Sequence, residues 1–323
     1  LYLLPVLGLV LTFIYNKLKV YGVGTNNIIK SVGTEEKVSP LLGVAIFIGT
    51  VLSHFGGASV GREGAALQLG GSVGEAFSRA FRIPEEYRRI VVVSGMGGFF
   101  SALFGTPFAA IIFVLEVVHV GMRCLVAVIP ATLSSFIAFI IANKLGVEPE
   151  RFPVNEIPIL TTGILWRFVF IAVIGALVSA IFVYALHYSE KGLKKILKNE
   201  YLRVALGGVV VILLTNLIGT TDYNGGGIDV VHHVFTHSEV KYEAFALKMI
   251  FTVISVGFGY KGGEIVPTIF IGGTLGGAIS CILGLNPAFG AAIAMGAEEI
   301  EFDLWYTKDG EIVSIHDAVL DRV

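Results

Sequence analysis

Gly61-Arg62-Glu63-Gly64-Ala65-Ala66, running on as Leu67-Gln68-Leu69-Gly70-Gly71, sets one glutamate among glycines at the start of an apolar helix. A carboxylate at membrane depth is expensive and marks a functional site by default. A helix N-terminus at the same place attracts anions through its free N–H groups and dipole. Glu63 therefore competes with a permeant anion for one positive potential, and it can also carry a proton.

The surroundings confirm a lipid setting. The chain has 323 residues, of which 54% are hydrophobic and 15% charged. Ordinary soluble domains carry about 25% charged residues, so that class is excluded. Apolar runs at 1–18, 41–55, 90–118, 125–145, 166–188, 204–218 and 245–259 approach or exceed the roughly 17–25 residues that cross a bilayer. Forty glycines allow close helix approach and broken helices. The expected fold is therefore an all-α polytopic membrane protein. Segment 1–18 lacks a basic start and a cleavage site, so it reads as a membrane helix rather than a signal peptide. The absence of an initiator Met points to an incomplete N-terminus. Cys124 and Cys281 read as free small hydrophobes.

A second Gly-rich break lies at Gly257-Phe258-Gly259-Tyr260-Lys261-Gly262-Gly263-Glu264-Ile265-Val266-Pro267. It matches Gly56-Gly57-Ala58-Ser59-Val60-Gly61-Arg62-Glu63-Gly64 in the first half. Paired interruptions in two halves of a transporter point to a site at the membrane midplane. Pro267 suits a first helical turn, where its missing N–H costs nothing. Irregular backbone in a membrane needs protein or an aqueous cavity to satisfy it, so the two breaks should meet at one. The halves are expected at about 1–150 and 160–297, divided by the polar stretch 146–162. The basic clusters at 79–89 and 191–203 read as solvated connections on the cytoplasmic side. His232, His233 and His237 read as loop or helix-end residues rather than metal ligands. No cofactor, metal or nucleic acid is implied.

With these motifs on the page, the chain resembles the CLC family of anion channels and proton-coupled antiporters from about residue 1 to 297. Gly61-Arg62-Glu63-Gly64 fits that family's G-R-E-G-P motif, with Ala65 in place of proline. Gly105-Thr106-Pro107-Phe108-Ala109 and Phe113-Val114-Leu115-Glu116 resemble the helix pair that follows. Gly262-Gly263-Glu264-Ile265-Val266-Pro267 resembles the late G-G-x-F-x-P motif. The resemblance implies an inverted-repeat helical bundle with helices broken at the midplane. It also implies a multi-pass protein of a bacterial inner membrane and a homodimer.

Departures from the chloride-type pattern look like the fluoride-type branch, the bacterial fluoride/proton antiporters. Gly24-Thr25-Asn26-Asn27-Ile28 replaces G-S-G-I-P, and Glu264 and Ile265 replace an apolar residue and Phe. Val117 stands where chloride exchangers carry an internal proton-accepting glutamate. By this resemblance Glu63 is the gating, proton-carrying residue, with Glu264 as a second acidic participant. Thr25, Asn26, Asn27, Gly61, Arg62, Gly64, Ala65, Ile265, Val266 and Thr268 would line the anion path. Fluoride is strongly hydrated, so its dehydration demands several strong donors. The asparagine amides and the N–H groups of Ile265 and Val266 are candidates, and Thr268 is a candidate donor to Glu264. Other readings stand beside these. Glu63 could pair with Arg62, Glu264 could cap its helix electrostatically, and Asn26 could be an N-cap. Glu116 reads as structural, and Phe99, Phe100, Phe104 and Phe113 as core or lipid-facing. A chloride-selective channel or exchanger of the same family is the alternative function.

The segment 298–323 does not continue this pattern. It holds eight acidic and two basic residues, against a basic excess before it, which marks a boundary near Ala297. Ile300, Phe302 and Leu304 alternate as in a strand, and Asp309-Gly310 suits a hairpin turn. The stretch resembles a fragment of the glycerophosphodiester phosphodiesterase family. By that resemblance Glu301 and Asp303 would be metal ligands and His316 a catalytic histidine. A (β/α)₈ barrel typically needs about 250 residues, so a working enzyme is not expected. A membrane-anchored remnant of such a phosphodiesterase is the reading from another class. The tyrosine lining the inner anion path of CLC proteins has no counterpart, so the chain reads as a truncated CLC protein joined to a foreign tail.

Overall fold

The computed structural model describes residues 1–20, 24–33, 39–117, 126–149, 152, 154, 161–295, 304–306 and 312–314, with the backbone alone at 25, 26, 30, 33, 117 and the last two segments. Thirteen helices follow one another among these residues. The first half holds α1 (Leu4–Lys17), α2 (Thr25–Gly33), α3 (Leu41–Gly56), α4 (Glu63–Ala80), α5 (Glu85–Phe104), α6 (Pro107–Val117) and α7 (Val128–Lys144). The second holds α8 (Thr162–Ile196), α9 (Glu200–Ile218), α10 (Ile228–His237), α11 (Ala244–Phe258), α12 (Ile265–Leu283) and α13 (Pro287–Ala294).

Helices α8, α9 and α12 are each long and apolar enough to cross a membrane. Helix α8 has 35 residues, about 50 Å at 1.5 Å per residue, so it must tilt or protrude from a hydrocarbon core of about 30 Å. Its apolar side chains, among them Leu165, Trp166, Val169, Leu177 and Ile181, are exposed. An apolar helix that buries so few of its own side chains is suited to lipid. The run 90–118 is not one span. Gly105 ends α5 in the left-handed region at φ 68°, and Pro107 opens α6.

A twofold relation organises the centre. Gly57 and Gly259 close α3 and α11 in the left-handed conformation, at φ 87° and 113°. Ala58 N–H then returns to Ser53 O at 2.9 Å, and Tyr260 N–H to Ser255 O at 3.1 Å. The N-caps of α4 and α12, Arg62 and Glu264, share one backbone conformation, φ −106°, ψ −7° and φ −108°, ψ −11°. The two breaks then pair with each other. Gly61 N–H donates to Gly263 O at 2.6 Å, and Gly263 N–H to Gly61 O at 2.5 Å. In cross-connection, Ser59 N–H donates to Ser255 Oγ at 2.9 Å and Lys261 N–H to Ser53 Oγ at 3.2 Å. Every equivalence has the same offset along the chain.

The relation continues into the helices. Gly70 and Gly74 of α4 meet the backbone of α5 at Gly95 and Val91, and Gly272 and Gly276 of α12 meet α13 at Ala294 and Gly290. A Cβ at any of these glycines would collide with backbone. Small residues at such spacing let membrane helices approach backbone to backbone.

Two buried apolar clusters serve the halves. One gathers Leu11, Tyr15, Ile28, Leu42, Leu67, Val92, Met96 and Val114. The other gathers Val204, Val211, Tyr223, Val231, Phe235, Phe251 and Phe270, with Leu4, Ala58 and Val60 reaching in from the first half.

The basic cluster at 79–89 is less solvated than its composition suggests. Arg88 is 3% exposed. It bonds Glu75 of α4 at 2.6 Å, Glu85 at 2.5 Å and the carbonyl of Ser31 in α2 at 3.3 Å. A buried arginine is tolerated when carboxylates and a carbonyl satisfy its fork. In the tail, β1 (Leu304–Tyr306) pairs antiparallel with β2 (Ile312–Ser314), as a hairpin requires. Ile300, Phe302, Asp309-Gly310, Glu301, Asp303, His316, Ala297 and Cys124 lie outside the described residues.

Candidate anion and proton site

The N-termini of α4 and α12 converge where the two breaks pair. Glu63 begins α4 and is fully buried. Its Oε2 accepts the N–H of Val266, in the first turn of α12, at 3.3 Å. The backbone N–H groups of Arg62 and Glu63 also face this carboxylate. The side chain thus lies among N–H groups from both halves, the arrangement that an anion would seek. Its Oε1 is buried without a hydrogen bond. The charge of Arg62 acts on this carboxylate, and Arg62 also contributes to a groove with Phe47, Ala65 and Leu69.

Gly263 has no room for a side chain, because a Cβ there would strike the backbone N of Gly64. A Cβ on Gly61 or Gly263 would also strike Glu63 Oε2. Only a hydrogen therefore separates the buried carboxylate from the break before α12.

On the other side of that break lies a cavity of about 470 Å³. Gly64, Gln68, Asn27, Phe113, Lys261, Glu264 and Ile265 contribute to its walls. Asn27 Oδ1 accepts the N–H of Gly24 at 3.0 Å, which leaves its amide donors for the cavity. Thr25 and Asn26 begin α2, and their side chains lie outside the described residues. Phe113 stacks on Phe100 at 4.5 Å, and Phe100 packs on Phe104. Ala65 faces the apolar groove rather than the cavity. Thr268 is also elsewhere: its hydroxyl donates to the backbone carbonyl of Glu264 at 2.8 Å, and it lines a groove with Ala172 and Ile293. A threonine one turn into a helix reaches its own i−4 carbonyl more easily than a side chain at the N-cap.

Sequence reasoning missed several residues here. Glu190 and Lys194 of α8 and Arg203 of α9 line the cavity, although the cluster 191–203 reads as a plain solvated connection. Nothing local signals this, because α8 and α9 reach the cavity only through packing. Lys261, by contrast, sits inside the Gly-rich break and was legible as part of it. Its Nζ lies 5.3 Å from the Tyr15 ring. Lys248 of α11 is fully buried, donates to the carbonyls of Gly225 at 2.7 Å and Tyr223 at 3.3 Å, and faces the Phe270 ring at 5.0 Å. It holds the loop whose Gly226 packs on Val266. His232, His233 and His237 lie on α10, and no three His, Cys, Asp or Glu side chains are grouped to hold a metal among the described residues.

These features define a polytopic membrane protein with a buried carboxylate between two opposed helix N-termini. The chain belongs to the voltage gated chloride channel family, whose model matches residues 7–298. A glycerophosphoryl diester phosphodiesterase family model matches residues 286–323. The chain is 32% identical over 303 residues to a "Chloride/fluoride channel protein" of Pseudomonas syringae pv. tomato, covering 91% of this chain and 66% of that protein. It is 27% identical to the "H(+)/Cl(-) exchange transporter ClcA" of Vibrio parahaemolyticus, covering 78% of this chain and 57% of that one. It thus spans under two thirds of the length of both relatives. A crystal structure of a CLC-type fluoride/proton antiporter superposes with TM-score 0.85 at 30% identity, over 91% of this chain and 74% of that one. A slow cyanobacterial Cl⁻/H⁺ antiporter shares the fold, with TM-score 0.78 at 20% identity.

Proposed function

We propose that this protein exchanges fluoride for protons across a bacterial inner membrane, with Glu63 as the residue that alternately blocks the anion path and carries the proton. The observation that carries this reading is the Glu63 carboxylate itself, buried and bonded to Val266 N–H between two helix N-termini. A negative group already occupies the place an anion would take. Protonation removes its charge and frees the N–H groups; an arriving anion then competes with the deprotonated form. That mutual exclusion couples the two ions.

Fluoride rather than chloride is favoured by the donors. Asn27 presents amide hydrogens to the cavity, and Asn26 precedes it on the same helix. Small, strongly hydrated anions need such donors to replace water. Glu264 faces the cavity as a second carboxylate and must be protonated or balanced by a cation when fluoride is near. We take the cavity to face the cytoplasm, since Lys194 and Arg203 of the basic segment 191–203 line it and cytoplasmic segments are enriched in Lys and Arg. We assign residues 1–297, in two halves, to transport and 298–323 to an unrelated tail, and we expect a homodimer.

Fluoride and chloride efflux from liposomes tests this reading. Fluoride release that draws protons into the vesicle and turns the exterior more alkaline, with little chloride release, is the expected result. Chloride release equal to fluoride release would overturn the selectivity. Fluoride release without proton movement would overturn the coupling.

A further inference from the structure

By the family resemblance, position 117 of α6 is where an internal proton-accepting glutamate would stand, and here it is valine. A proton leaving Glu63 needs another route. The cavity behind Gly263 offers one, because it holds two carboxylates, Glu264 at its inner end and Glu190 on α8.

Glu190 is placed for exchange with bulk water. Its side chain is 49% exposed, and its Oε1 bonds Lys194 Nζ at 2.5 Å one helical turn away. Its charge acts on both Glu264 and Lys261, so it is within electrostatic reach of the break. Besides Glu190, the charged groups that share the cavity or act on Lys261 come from several elements. They are Lys194 on its own helix, Glu200 and Arg203 at the start of α9, Lys261 in the break and Glu264 before α12. Helix α11 contributes Val256 and Gly257, and Tyr260 beyond it is bonded to the carbonyls of Leu4 and Val204. Lys194, Arg203 and Lys261 share the cavity with the Glu190 carboxylate, and these cations draw anions to the mouth.

We propose that Glu190 is the proton-exchanging group of the cytoplasmic mouth, serving Glu264 through cavity water. This rests on the proton-coupled reading above. In the step, the Glu264 carboxylic acid gives its proton through water to the Glu190 carboxylate. Glu190 then releases it to bulk water, and both carboxylates regain their charge. No electron moves and no further reactant is needed.

The test is fluoride-driven proton uptake by liposomes holding the unsubstituted protein, Glu190→Gln, Glu190→Asp or Lys194→Gln, followed across internal pH. We expect Glu190→Gln to slow proton uptake about tenfold, the lower end of what a positioned proton-transfer group contributes, and to flatten its pH profile. Glu190→Asp should restore most of the rate, and Lys194→Gln should shift the profile along the pH axis without flattening it. An unchanged rate and profile in Glu190→Gln overturns the inference alone. Equal slowing in Glu190→Gln and Lys194→Gln also overturns it, since the ion pair would then be the cause. Absence of fluoride-driven proton uptake in the unsubstituted protein overturns the coupled reading and this inference with it.

Discussion

Ser53 and Ser255 occupy equivalent places in the two halves, and each hydroxyl accepts a backbone N–H from the other half. Ser255 Oγ takes that of Ser59 at 2.9 Å, and Ser53 Oγ that of Lys261 at 3.2 Å. Both serines are buried. The pair stitches the two breaks together on either side of the Gly61–Gly263 bridge. Irregular backbone at membrane depth is thereby satisfied within the protein.

Ser53→Ala and Ser255→Ala should each destabilise by about 1–3 kcal/mol, the cost of leaving a buried N–H unsatisfied. Because the two bonds hold one bridge, the double variant should lose less than the sum. Thermal unfolding in detergent measures this. Two strictly additive losses would show that the bonds act independently.

Glu63→Gln should abolish fluoride-driven proton movement while leaving the fold intact, since the amide keeps the shape and can still accept from Val266 N–H. A proton flux equal to that of the unsubstituted protein would remove Glu63 from the proton path.

Gly263→Ala should disturb transport more than Gly226→Ala. A Cβ at Gly263 strikes Glu63 Oε2 and the N–H of Gly64, whereas one at Gly226 makes only ordinary contact with Val266. Displacing the carboxylate should leave the anion path open and uncouple it. Passive fluoride leak in the first variant alone is the expected readout.

Asn27→Asp should keep the bond to Gly24 N–H but lose the amide donors and add a negative charge to the cavity. Fluoride transport should fall by an order of magnitude, roughly the effect of one lost charge-assisted hydrogen bond of about 1.5–3 kcal/mol. Unimpaired transport would place the donors elsewhere.

One pH effect lies outside the membrane helices. Asp222, in the loop after α9, bonds Lys241 at 2.5 Å, and this bond holds its carboxyl below the usual range. A depressed carboxyl stabilises the fold above its unfolded value and loses that contribution as pH falls through its folded value. The same bond holds the Lys241 ammonium above its usual range, so its contribution is lost only in strong alkali. Lys241→Ala should therefore flatten the acid limb of the stability curve slightly, as expected for a partly exposed pair.

Much of the site was legible in the residues themselves. The Gly-rich stretches around Glu63 and Glu264 read as paired helix breaks because glycine, proline and an isolated carboxylate in apolar surroundings have few other uses in a membrane. Pro267 in the first turn of α12 follows from proline's missing N–H. Other readings depended on packing. Thr268 was a candidate donor by sequence spacing, yet its hydroxyl satisfies its own helix. Arg88 read as a solvated charge, yet two carboxylates and a carbonyl draw it into the interior.

By itself the sequence determined the membrane setting, the two broken helices, the carboxylate at each break and the change of character near the C-terminus. These depend on local composition and on backbone chemistry, which operate over a few residues. Only the tertiary structure decided that the two breaks pair as Gly61 with Gly263 and that Glu63 is held by Val266. It also decided that Glu190, Lys194 and Arg203 share a cavity with Glu264. Those contacts join residues far apart in the chain, and only the close glycine-to-backbone packing of α4 on α5 and α12 on α13 brings them within bonding distance.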